Sequence, residues 1–221
     1  MSCGLGKYSE KYKLYGEGFW GTEPASFIKL FSAKYLTDQK SLLDLGSGTG
    51  RNSLHLLSHG KFDKATLVEV DSTAQSILAN KVAQLEDDGV ILENTITYIR
   101  EDVTRLLKDY SLPKADVVVM YGLLHVFESQ ELVRELFLKL GELVTPGGYI
   151  VFQSLTDKYP APHCQPELEG IVVNENDLYE LAKNNYEIIE FNNDDITHSH
   201  QGQSQDHTHG SVRFILTNSK E

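Results

Sequence analysis

Residues 42–53 read LLDLGSGTGRNS: an apolar run, then glycine at positions 46, 48 and 50, then a segment of helical character. Glycine gives a core nothing to pack and loses more chain entropy on folding than any other residue. A stretch with glycine at every second place therefore belongs where the backbone turns sharply or is approached closely. A plain tight turn is the simplest reading, but three glycines in register after an apolar strand exceed what a turn needs. The unit is a strand, a turn and a helix, and the rest of the chain has to be built around it.

The flanking sequence repeats that unit. SLLDL (41–45) is a strand and NSLHLLSHG (52–60) a helix closed by Gly60. ATLVEV (65–70) is a second strand, followed by TAQSILANKVAQL (73–85), which sets Ala74, Ile77, Leu78, Val82 and Leu85 on one helical face. TITYIR (95–100) is a third strand. ADVVVMY (115–121) is apolar almost throughout, as in a parallel strand buried on both faces. SQELVRELFLKLGELV (129–144) reads as an amphipathic helix that ends at PGG, and GYIVFQSL (148–155) as the next strand. ENDLYELAKNN (175–185) is a helix, YEIIEF (186–191) a strand and SVRFILTN (211–218) the last strand. This alternation predicts a doubly wound α/β fold with a C-terminal antiparallel strand pair. No internal repeat or linker divides the chain, so one domain is expected.

Composition limits the partners. Among 221 residues, 32 are acidic and 20 basic, a formal charge of −12. Nucleic-acid binding relies on a basic face to release counterions, and no Lys/Arg cluster stands out, so no nucleic-acid partner is expected. Cys3 and Cys164 are too few and too far apart for a disulfide framework, and a reducing compartment fits them. MSCGLGKYSEKYK lacks the apolar core of a signal peptide, and no apolar run approaches ~20 residues. The expectation is a soluble, cytoplasmic protein without a membrane partner.

In a doubly wound sheet a ligand lies beyond the carboxyl ends of the strands, where the strand order reverses. The glycine turn falls there, with the N–H groups of the following helix ready for negative charge. Its spacing is G-x-G-x-G after Asp44, not the G-x-G-x-x-G of dinucleotide-binding proteins. The pattern D-x-G-x-G-x-G resembles motif I of the class I S-adenosylmethionine-dependent methyltransferases, and the likeness extends over about residues 15–155. It implies a Rossmann-like, mostly parallel seven-stranded sheet, with S-adenosyl-L-methionine held by Asp44, Gly46, Gly48 and Gly50. It also implies a carboxylate at the end of ATLVEV that receives the ribose diol. Glu69 and Asp71 compete for that role. Counted from Glu69, the positions such helices bury are Ala74, Ile77, Leu78 and Val82, all apolar; counted from Asp71 they are mostly polar. Glu69 is therefore favoured for the ribose and Asp71 for the helix N-cap. In REDV (100–103) the likeness assigns Asp102 to the adenine amino group and Val103 to the purine face, although Asp102 also suits an N-cap. Tyr121 and Gly122, ending ADVVVMYG, would border the methionine part. The aspartate-proline-proline-tyrosine signature of enzymes that methylate amino groups of adenine, cytosine or glutamine is absent.

The stretch YGEGFWGTEPASFIKLF (15–31) and the GRN at 50–52 are similar to the tellurite-resistance and thiopurine-type members of that family. Phe19 and Trp20 would close over the cofactor, or else staple the helix PASFIKLF to the sheet. The resulting division is an N-terminal lid and helix (1–36), a cofactor-binding core (37–155) and a substrate-side insert with a C-terminal hairpin (156–221).

Methyl transfer from a sulfonium is an in-line displacement, in which the protein aligns the reactants and removes water. A general base is needed only where the nucleophile must lose a proton. His125 is the best-placed candidate, with packing in LLHVF as its alternative; Tyr121, with an ordinary pKa of about 10, is a weaker base. THSHQGQSQDHTHGS (197–211) carries His198, His200, His207 and His209 as two H-x-H pairs, near His163 and Cys164. These could hold a soft or borderline metal or a metalloid substrate. A solvated hairpin loop is the simpler reading, and no metal is assigned. The expected enzyme methylates an oxygen, sulfur, nitrogen or metalloid atom of a small molecule. A protein side chain as acceptor, and a non-catalytic cofactor-binding partner, are the alternatives. A nicotinamide dehydrogenase would need the other glycine spacing and a second domain.

Overall fold

The computed structural model describes residues 5–109, 112–124, 127, 129–159, 173–198 and 206–218. Helix α1 (Leu5–Tyr15), a 3-10 turn (Gly16–Phe19) and α2 (Ser26–Lys34) precede the sheet. Then β1 (Ser41–Leu45), α3 (Arg51–His59), β2 (Lys64–Val68), α4 (Ser72–Asp87), β3 (Ile96–Ile99) and α5 (Val103–Asp109) alternate. They are followed by β4 (Ala115–Tyr121), α6 (Gln130–Leu143), β5 (Val144–Thr156), α7 (Glu175–Asn185), β6 (Glu187–Asn192), β7 (Ile196–His198) and β8 (His207–Thr217). No helix among the described residues is long and apolar enough to cross a membrane.

The strands lie in the order β3-β2-β1-β4-β5-β8-β6, with β7 paired to β8 off that path. β1 pairs in parallel with both β2 and β4, so the order reverses beside the glycine turn. β8 runs antiparallel to β5 and β6, the C-terminal pair that the sequence predicts. Strand β4 is apolar on both faces because both are covered. Val117 and Val119 join the core under α2, α3 and α4, while Val118 and Met120 join the core under α5, α6 and α7. Phe137 of α6 meets Phe152 of β5 edge-on at 5.0 Å, fixing that helix over the strands that carry the second half of the sheet. Each large side chain buried in this way contributes about 1.5–3 kcal/mol.

Three features differ from the expectation. Helix α1 was not foreseen. β5 begins at Val144 and runs through Pro146-Gly147-Gly148, because its pairing with β4 slips between Ala115 and Val117 and the extra residues bulge out. The last strand begins at His207, four residues early, because Ile196–His198 pairs with His207–His209 as an eighth, short strand. The hydroxyls of Thr197 and Thr208 lie 2.9 Å apart across that pair.

Candidate active site

The glycine turn is held from below. The amides of Gly46 and Ser47 both donate to the carbonyl of Val68 at 2.9 Å, which fastens the end of β1 to the end of β2. Gly46, Gly48 and Gly50 all have positive φ, at 80°, 56° and 83°. Two of them show what the sequence needs there. A Cβ on Gly50 would collide with the buried Leu78 side chain of α4, so this glycine lets the turn pack against α4. A Cβ on Gly48 would meet the Tyr12 hydroxyl, at 3.2 Å; this glycine lets the helix above it close on the turn.

Three acids surround the turn. Glu69, 9% exposed at the tip of β2, accepts from the amide of Gly48 through Oε2 and from the amide of Asp71 through Oε1, both at 2.8 Å. Burial pushes its pKa up, while these backbone donors hold it down. Asp71 caps α4, its Oδ1 accepting from Thr73 and Ala74 at 2.9 and 2.8 Å. Ala74, Leu78 and Val82 are buried on that helix, in the phase counted from Glu69. Asp44, 3% exposed, accepts from the Ser53 hydroxyl; burial pushes its carboxyl up to about 7, with the charge of Glu69 adding. Asp44 thus ties the turn to α3 from inside.

A cover lies over the turn. The Ser9 hydroxyl of α1 donates to Asp71, and Tyr12, 8% exposed, is set over Gly48. Burial first, then the charges of Glu69 and Asp71, hold the Tyr12 hydroxyl protonated far above its ordinary range. Trp20 packs on Tyr8 with ring centroids 5.6 Å apart and hydrogen-bonds Tyr12. It therefore belongs to this cover. Lys81 of α4 pairs with Glu17 and reaches the Thr49 carbonyl at 3.4 Å. The GRN stretch stitches the cover to the sheet: Arg51 Nη1 donates to the Trp20 carbonyl at 2.7 Å, and Asn52 Oδ1 accepts from the Ala25 amide at 3.0 Å.

On the far side of β2, Asp102 Oδ1 accepts from the amide and hydroxyl of Thr104 at 2.7 and 2.6 Å, so it does cap α5, and Oδ2 takes no part in that cap. Val103 is buried beside it. Tyr121 ends β4, its hydroxyl raised by burial and drawn back by Arg213 and Arg51. Gly122 donates from its amide to the Gln153 carbonyl at 3.1 Å.

Asp44, the three glycines, Glu69, Asp71, Asp102, Val103 and Tyr121 all stand at the carboxyl edge of β1–β4 or in the turns that leave it. His125, His163, Cys164 and His200 lie outside the described residues, as do the side chains of Phe19, His198 and His207. His209 is buried in β8. Among the described residues no group of three or more His, Cys, Asp or Glu side chains is arranged to hold a metal.

Sequence reasoning missed Tyr12 and Arg213, and it noted Arg51 only as part of GRN, without a role. Tyr8, Tyr12 and Tyr15 recur at helical spacing in KYSEKYKLY, a signal that could have revealed the covering helix. Arg213 shares a strand face with Ile215, and nothing local marks it.

The likeness to known proteins agrees with this geometry. Three solved structures illustrate the fold. TehB from Haemophilus influenzae is 19% identical with a TM-score of 0.70, covering 97% of this chain and 67% of its own. The N-methyltransferase NodS from Bradyrhizobium japonicum, in complex with S-adenosyl-L-homocysteine, is 18% identical with a TM-score of 0.66, covering 97% and 98%. A structure concerned with conversion of a disulfide bond into a thioacetal group during echinomycin biosynthesis is 18% identical with a TM-score of 0.69, covering 97% and 92%. No curated protein matches the chain in sequence. The family model of the methyltransferase domain matches residues 17–211, from the edge of the cover to the last strand, and the chain belongs to that family.

Proposed function

We propose that this protein transfers a methyl group from S-adenosylmethionine to a small-molecule nucleophile. The observation that carries this reading is the junction of Glu69 with Gly48. A buried carboxylate at a strand tip is bonded to the amide of a positive-φ glycine whose bare backbone faces the Tyr12 hydroxyl. The Glu69 carboxylate is held by backbone amides, and an ionised carboxylate with about four acceptor sites keeps capacity for hydroxyl donors, which suits a diol. The complex of NodS with S-adenosylhomocysteine supports the same ligand.

In this reading Glu69 receives the ribose, Asp102 Oδ2 the adenine amino group, and Val103 the purine face. The backbone of Gly46, Gly48 and Gly50 runs under the nucleoside; Tyr121 and Gly122 border the amino-acid part. Asp44 and Asp71 hold the turn and α4 in place. When bound, S-adenosylmethionine supplies an electrophilic methyl group on a sulfonium. The chain's task is alignment and exclusion of water, for which the cover of Tyr8, Tyr12 and Trp20 is suited. Tyr121, its hydroxyl raised, is a poor base; His125, four residues beyond β4, is the proposed proton acceptor for a nucleophile that carries a proton. Residues 1–36 then form the cover, 37–155 the cofactor core and 156–221 the acceptor side.

Equilibrium dialysis against S-adenosylmethionine, S-adenosylhomocysteine and NAD tests the ligand, with binding of the first two and not the third expected. A panel of acceptors with labelled methyl donor, including thiols, selenite, tellurite and cell-extract protein, then tests transfer. Binding of NAD alone would overturn the ligand assignment; transfer only to protein would overturn the acceptor class.

A further inference from the structure

The strands beyond β4 carry a side chain to which the cofactor gives no task. Tyr121, Gln153 and Arg213 stand opposite one another on β4, β5 and β8, and Arg213 is opposite Asn192 on β6. Residues in register share a face, so these form one row at the carboxyl edge of the sheet. Arg213 is half-buried. It donates to Asn192 Oδ1, to the Asp194 carbonyl at 3.4 Å and to the Tyr121 hydroxyl. These bonds leave guanidinium N–H donors over.

Among the described residues no carboxylate pairs with Arg213. Asp194, whose carbonyl it touches, turns its carboxylate to Asn192 Nδ2 at 2.5 Å. Arg51, the other guanidinium acting on Tyr121, likewise bonds carbonyls and no acid among the described residues. In a chain of net charge −12, two half-buried cations beside one phenol and without an acid are out of keeping with the rest. Partly desolvated charges are normally paired. Arg51 starts α3 next to the glycine turn, on the cofactor's side. Arg213 lies two strands beyond β4, roughly 10 Å away from it and opposite in direction to Glu69 and Asp102.

We propose that Arg213, set in the row Tyr121–Gln153–Arg213–Asn192, anchors a carboxylate or similar planar oxyanion of the methyl acceptor, so that the acceptors of this enzyme are organic anions. The proposal rests on the methyltransferase reading above. A guanidinium fork pairs two N–H donors with two oxygens and thereby fixes orientation as well as charge. Gln153, donating to the Ser211 hydroxyl at 3.1 Å, holds the row between its ends.

The test separates a small-molecule cell extract by anion exchange and assays both fractions with labelled S-adenosylmethionine. Transfer to the retained fraction is expected, lost after the carboxylates of that fraction are esterified. Arg213→Gln lowers kcat/KM about 30-fold or more, through KM, while its affinity for S-adenosylhomocysteine stays within about twofold of the parent. Arg213→Lys, with charge but no fork, falls between them. Phenylglyoxal modification of Arg213, mapped by mass spectrometry, is slowed by the retained fraction and not by the flow-through. Transfer confined to the flow-through, unchanged kinetics in Arg213→Gln, or loss of S-adenosylhomocysteine affinity in that variant each overturns the proposal. Transfer to neither fraction overturns it as well. If the parent protein then still binds S-adenosylhomocysteine, the ligand reading survives; if it binds none, that reading fails too.

Discussion

The two halves of the sheet prepare for their ligands by different means. From β3 to β4 the site is made of main chain and strand tips: the amides of the glycine turn, Glu69 two residues from Asp71, Asp102 at the head of α5. From β5 to β6 it is made of side chains brought together by register, with Gln153, Arg213 and Asn192 far apart in sequence. A main-chain site needs a particular backbone shape and is written in contiguous residues. A side-chain site can change one residue at a time without disturbing the strands that carry it. The first half suits one constant nucleoside, the second an acceptor that varies within the fold.

Substitutions in the first half should therefore act on stability and cofactor affinity, with little discrimination among acceptors. The largest effect is expected at Gly50. An added methyl combines a φ of 83° with a collision against Leu78, so Gly50→Ala should cost about 3 kcal/mol in denaturant unfolding. A loss under about 1 kcal/mol would mean that the turn is not seated tightly against Leu78 of α4. Next come the two acids. Glu69→Gln should lower S-adenosylhomocysteine affinity about 100-fold in calorimetry, since a charge-assisted pair of hydroxyl contacts is lost. Asp71→Ala should cost about 1 kcal/mol of stability as a lost cap, with a much smaller change in affinity. The opposite pattern would exchange their roles.

A pH-dependent effect comes from Asp44. Burial in the folded chain pushes its carboxyl up from 3.8 to about 7, so the folded chain binds the extra proton between these values. Stability should then fall as pH rises from about 4 to about 7 and level off above, by at most about 1.4 kcal/mol per pH unit from this group. Glu69, also raised, acts in the same direction. Asp44→Asn should flatten the slope measured by thermal unfolding across that range, and an unchanged slope would place the titrating group elsewhere.

The same division decides what could be read in the amino acids alone. The glycine turn, Asp44, the strand-tip position of Glu69 and Asp71 as cap follow from short-range pattern, because the turn, the strand tip and the phase of α4 are local properties. Val117–Met120 announced a strand covered on both faces for the same reason. Helix α1 has little apolar content to betray it, and its tyrosines matter only once Gly48 lies beneath them. The bulge at Pro146–Gly148 and the early start of β8 depend on which strands are neighbours, a long-range fact. Arg213 was hidden for the same reason: its partners Tyr121 and Asn192 reach it only through pairing.

The most direct measurement is calorimetric titration of Gly48→Val with S-adenosylhomocysteine, alongside circular dichroism to establish that the variant is folded. A side chain at this position would stand between the Tyr12 hydroxyl and the glycine turn, so affinity should drop about 100-fold or more in a folded protein. Affinity within about twofold of the parent would show that the nucleoside does not rest on this backbone and would contradict the account.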